Sequence, residues 1–176
     1  MYTNEWFLEQ ARIGNLYHAC SAGAVTLSTV SATCTGLSLA NPYGSCKKLI
    51  VKTVSFQPST APAGAAVVGL AISPAPSSTA VVHTTPAVIH NAIMTGSDKN
   101  VGVAKVDVSS TLPAAPVWLR PMGGVVAASS ISPGKYTEDV GGEIILPPGT
   151  SLSLSYLTTA AVGIASVSWA EVNENE

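Results

Sequence analysis

With 176 residues the chain has the length of a single domain, enough to enclose a core without help from disulfides or metals. Charged residues make up only 10% of it, against roughly 25% in an ordinary soluble domain. Its net charge is −2, and the one basic cluster, Lys47, Lys48 and Lys52, is read as solvating the ends of a strand. Phosphate recognition needs clustered Lys and Arg, so a nucleic-acid partner and a genome-packaging coat protein are both disfavoured.

The first fourteen residues stand apart as an N-terminal arm, with residues 15–176 as the single folded domain. Asn4 is a candidate helix N-cap with Glu5 at the positive end of the dipole. Trp6, Phe7, Leu8 and Ile13 supply an apolar face, and Gly14 ends the turn. A helix this short is not stable alone. It must dock on the domain or on a neighbouring subunit, and the neighbour is preferred. Acidic and aromatic residues also occupy the place where a signal peptide needs positive charge and then an apolar run. No stretch is apolar for long enough to span a bilayer. The chain is thus expected to be made in a cytoplasm, away from membranes.

From Val25 the pattern is strand, turn, strand. Strands are predicted over Val25–Val30, Leu49–Phe56, Ala66–Ile72, Val88–Met94, Val101–Val108, Val117–Arg120, Glu143–Leu146, Ser151–Tyr156 and Val162–Val172. In Ser151–Tyr156, Leu152, Leu154 and Tyr156 alternate with Ser151, Ser153 and Ser155, the period of a half-buried strand. Leu152, Leu154 and Tyr156 therefore line either the core or a subunit interface. Trp169 shares a strand face with Val167 and is read as core. The prolines, among them Asn41-Pro42, Pro133-Gly134 and Pro147-Pro148-Gly149, punctuate the strands as turns. The stretches Gln57–Gly64 and Ser73–Thr79 read as loops. These spacings predict an all-β protein, a β-sandwich of jelly-roll type with a short N-terminal helical arm.

The chemistry-bearing residues are sparse. Cys20, Cys34 and Cys46 are odd in number and cannot form a closed disulfide set. They are read as free thiols and small buried hydrophobes. His18 and Cys20 lie two apart, but no Cys-x-x-Cys or His-x-x-x-His pair marks a structural zinc site. No cofactor is expected. His83 and His90 would need a nucleophile and an orienting acid to act as bases. The nearest acids, Asp98 and Asp107, read as turn and strand-edge residues, and no serine sits in a Gly-x-Ser-x-Gly elbow. Glu138, Asp139 and Glu143 read as a solvated loop before a strand. Trp118, Trp169 and Tyr136 are a candidate sugar-stacking platform, of which Tyr136, in the loop after Pro133-Gly134, is the member to watch. No enzyme is predicted.

The segment Gly142-Glu-Ile-Ile-Leu-Pro-Pro-Gly-Thr-Ser-Leu-Ser-Leu154, followed by Ser166-Val-Ser-Trp-Ala-Glu-Val172, resembles the closing strands of tailed-phage virion proteins. These are small jelly-roll proteins that decorate capsids or form fibre heads, often as trimers. The resemblance covers about the last forty residues, a style shared with trimeric sandwiches like those of tumour necrosis factor and C1q. It implies a structural protein of a virus particle, assembled in a host cytoplasm. Such a protein would be a homotrimer bound to the major capsid protein and anchored through Trp6, Phe7, Leu8 and Ile13. The low charge agrees with a surface that packs against other protein. The alternative is a receptor- or carbohydrate-binding fibre head using Tyr136, His83 and His90. A depolymerase built on Glu138 and Glu143 ranks last.

Overall fold

The computed structural model describes residues 3–93, 102–125 and 135–175. These residues form one helix, α1 (Asn4–Ile13), and twelve strands. These are β1 (Leu16–Cys20), β2 (Val25–Thr26), β3 (Thr33–Asn41), β4 (Lys47–Pro58), β5 (Ala66–Ile72), β6 (Val82–Pro86) and β7 (Ile89–Asn91), then β8 (Lys105–Thr111), β9 (Val117–Val125), β10 (Tyr136–Leu146), β11 (Thr150–Leu157) and β12 (Val162–Asn173). They form two antiparallel sheets packed face to face, the expected β-sandwich. The first sheet runs β10-β4-β12-β1-β7, with β2 added on β12, and the second runs β6-β8-β3-β11-β5-β9.

The core lies between the sheets. Leu49, Val51, Val54 and Phe56 of β4 and Val167 and Trp169 of β12 face Leu39 of β3, Leu70 of β5 and Leu152 and Leu154 of β11. Leu152 and Leu154 are therefore core and cannot be a subunit interface, and Tyr156 packs against the same cluster. The alternating pattern was real. Its serine face is nevertheless not solvated: Ser151, Ser153 and Ser155 are all buried.

The connection from β5 to β9 explains that burial. These two strands are hydrogen-bonded neighbours, with Ile72 opposite Val117. Between them the chain makes a long excursion to the far edges of both sheets, where it adds β6 and β8 to one and β7 to the other. Its return, Leu112–Pro116, starts at Thr111 beside Thr33 and must reach Val117 beyond β3, β11 and β5. It crosses the outer face of the second sheet. The floor beneath is accordingly made of small residues, with Ser38, Ala40, Ala71, Ser151 and Ser153 all buried. Ser38 and Ser110 share a hydrogen bond of 2.9 Å there, and Ser153 donates to the Ala71 carbonyl.

The arm folds as a helix but docks on its own domain. Thr3, one residue before the expected cap, accepts the Trp6 N–H at 3.2 Å, and Gly14 closes the C-terminus at φ 81°. Phe7 is buried on the outer face of the first sheet against Leu16, Ile50, Ala170 and Val172. Trp6 packs against that cluster and meets Phe7 edge to face, while Lys52 stands 5.7 Å over the Phe7 ring. Phe7 is thus no anchor for a neighbouring subunit. Of the four predicted anchor residues, only Leu8 and Ile13 remain half exposed. Removing residues 1–14 would uncover this second cluster and destabilise the domain. Phe7→Ala is expected to cost about 3–5 kcal/mol in chemical denaturation. A loss near zero would mean that the helix is only loosely held.

Several strand limits also differ. Only Val25–Thr26 of Val25–Val30 is a strand; Leu27 then turns into the core and Ser28 bridges to Ser155. β1, β3 and β6 were not predicted. Met94, Val101, Asp98 and the Pro133-Gly134 turn lie outside the described residues.

Candidate functional site

Three surface regions bear on function, the first being the open edge where β9 and β10 end their sheets side by side. Here Val117 and Leu119 of β9 and Ile145 of β10 are exposed by 46, 42 and 41%, and Leu157 of β11, on the far side of β5, by 51%. Leu119 sits between two hollows of about 230 and 250 Å3, one shared with Val67, Trp118 and Leu157, the other with Ile72, Ile145 and Pro147. Arg120 is paired with Leu70 in register, so its side chain turns inward and reaches the opposite sheet. It bonds Glu138 and Glu143 at 3.0 Å each.

Glu138, Asp139 and Glu143 are consequently not a loop. They belong to β10, which continues through a bulge at Gly141 and Gly142, both at positive φ. Glu138 and Glu143, the candidate depolymerase carboxylates, converge on Arg120. Tyr136 is no loop residue either. It opens β10, packs against the core and donates its hydroxyl hydrogen to the Gly124 carbonyl of β9 at 2.9 Å, fastening the same edge.

The second region is a cleft of about 380 Å3 between the two legs of the excursion. Ala40 and Ser151 form its floor, Pro76 and Thr79 one wall, Pro113 and Ala114 the other, with Tyr43 and His83 at its sides. His83 on β6 lies 2.6 Å from Asp107 Oδ2. An ionised carboxylate only accepts, so Nδ1 of His83 donates and Nε2 is left free. Asp107 is not at a strand edge; it is buried, and its Oδ1 has no hydrogen-bond partner. The sequence offers Asp107 as a nearby acid but reads it as a strand-edge residue, because an Asp among Val and Ser in a strand reads as solvent-facing. The serine hydroxyls of this face, Ser38 and Ser110, are buried and bonded to each other.

The third region is the outer face of the first sheet beside α1. His18 of β1 and His90 of β7 are direct cross-strand partners there, both exposed. Thus Tyr136, His83 and His90 do not converge. They occupy the β9–β10 edge, the excursion cleft and the opposite sheet.

The cysteines are free, but only Cys34 is buried; Cys20 and Cys46 are exposed. Burial pushes the Cys34 thiol up to about 11, which leaves it protonated and inert near neutral pH. Trp169 is core, as its strand position required, and Trp118 lies outside the core over Gly69. Among the described residues no three His, Cys, Asp or Glu are gathered to hold a metal ion. No helix among them is long and apolar enough to cross a membrane. Comparison with protein-family models, with curated proteins and with solved structures gives no match.

Proposed function

We propose that this chain is a structural protein of a virus particle that decorates or cements a bacteriophage capsid, binding the major capsid protein as a homotrimer. The observation that carries the reading is the β9–β10 edge, where Val117, Leu119 and Ile145 stand exposed, with Leu157 of β11 across a hollow from Leu119, on a chain with only 10% charged residues. Such a patch marks an interaction surface.

Strand order supports a jelly roll. Without the excursion strands and β2, the sheets reduce to β1-β12-β4-β10 and β3-β11-β5-β9. Labelled B to I in chain order, they have the order B-I-D-G and C-H-E-F, which agrees with that fold, one that recurs in viral capsid and lectin domains. In this reading the excursion is an insertion between strands E and F. Binding to an assembled lattice stabilises it by mass action, with the apolar edge as the subunit contact and Leu8 and Ile13 as the exposed part of the arm.

The test is the solution mass by light scattering after size-exclusion chromatography. A trimer, three times 17.8 kDa, is expected, and a concentration-independent monomer overturns the homotrimer.

The His83 cleft favours one second reading, a carbohydrate- or receptor-binding fibre head. A glycan array separates the two. Binding that disappears in His83→Ala selects the fibre head, whereas a decoration protein gives no signal.

A further inference from the structure

We propose that His18 and His90 form a two-imidazole site for a first-row divalent transition metal such as zinc, fastening β7 to β1. In β1, Tyr17 and Ala19 point into the core, so His18 points out. The register sets His18 opposite His90. Directly opposed residues of an antiparallel pair have Cβ atoms about 4.5–5.5 Å apart. Two imidazoles at that spacing can converge on one ion at the usual Zn–N length of about 2.0–2.1 Å.

His18 is also prepared for the role. Its Nδ1 lies 2.8 Å from the Ser168 hydroxyl on β12, which fixes the ring and leaves Nε2 free. This is the usual state of a metal-binding imidazole, one nitrogen held and the other open. Imidazole selects zinc, copper and nickel over the oxygen-seeking magnesium and calcium. The third histidine, His83, is held by Asp107 on the other sheet and does not compete.

Two protein ligands leave the remaining positions to water, and the Lys52 ammonium opposes a bound cation. The site is therefore exchangeable. Its structural effect falls on β7, a strand of three residues at the edge of the sheet. A metal bridging His18 and His90 would pin β7 to β1.

The experiment is calorimetric titration of the full chain with zinc chloride, with magnesium chloride as control, followed by thermal melts with and without zinc. One zinc per chain is expected, and no magnesium. His18→Ala and His90→Ala should each weaken binding by no less than the about 10–100-fold that loss of an outer hydrogen-bond partner costs a metal site. His83→Ala and Cys20→Ser should bind as the unaltered chain does; the Cys20 thiol is turned to the Ser21 carbonyl. His90→Gln, a conservative change at an exposed position, should keep the zinc-free melting temperature and lose the rise that zinc gives. Absence of zinc binding by the unaltered chain, binding that survives both histidine variants, or loss in Cys20→Ser overturns the site.

Discussion

Trp169→Ala is expected to remove about 3–5 kcal/mol of stability, out of a total of about 5–15 kcal/mol for a domain of this kind. The indole is fully buried at the centre of β12 and stacks on Tyr17 of β1, with ring centroids 5.8 Å apart. Its N–H also donates to Glu171 Oε1 at 3.2 Å. That buried carboxylate accepts the backbone N–H groups of Val103 and Ala104 as well, at 2.8 and 3.1 Å, and so ties the approach to β8 onto the last strand. Truncation would leave a large cavity and deprive the carboxylate of one of three donors. Trp169→Phe separates these losses. It keeps most of the volume and the stacking but drops the N–H, and is expected to cost about 1–3 kcal/mol. Urea denaturation followed by circular dichroism measures both variants. Equal losses would mean that the hydrogen bond, not the packed volume, dominates.

The parts of this fold that were legible in the sequence are those whose two strand faces differ. Ala66–Ile72 was found without error, and Ser151–Tyr156 and Val162–Val172 to within a residue at each end, because alternation or an unbroken apolar run marks them. β3 was missed because its outer face is also covered. Thr33–Asn41 mixes Ser, Cys, Ala and Gly with only two leucines, and Gly36 sits at φ 116°, close against Leu27. Small residues that admit a crossing chain read as a loop. β6 was missed for the opposite reason: every residue of Val82–Pro86 is exposed, so no burial pattern exists to read. Site geometry was less legible still. Asp107 meets His83 only because β8 and β6 pair, and His18 meets His90 only because the excursion brings β7 alongside β1. These encounters depend on long-range pairing that local periodicity does not encode.

Leu119→Asp is expected to convert the assembled protein to monomers while leaving the fold intact. Leu119 stands on the edge strand β9 and lines both apolar hollows, one shared with Ile145 and the other with Leu157. An exposed edge ordinarily invites another strand to add by backbone pairing. Pro121 lacks the N–H that such pairing needs, and Tyr136 caps the Gly124 carbonyl. Association here would therefore run through side chains, not through a continued sheet. Burying a leucine side chain is worth about 1.5–3 kcal/mol, so losing it from each of three copies removes roughly 5–9 kcal/mol from a trimer, before the cost of burying the introduced carboxylate. In the monomer the site is solvated, and the change should shift stability by no more than about 0.5 kcal/mol. Light scattering gives the mass and denaturation gives the stability. A monomer of normal stability places the contact on the β9–β10 edge. A trimer that survives Leu119→Asp but fails on Leu8→Asp transfers the contact to the outer face of α1, where Leu8 is the exposed apolar side chain that Phe7 is not.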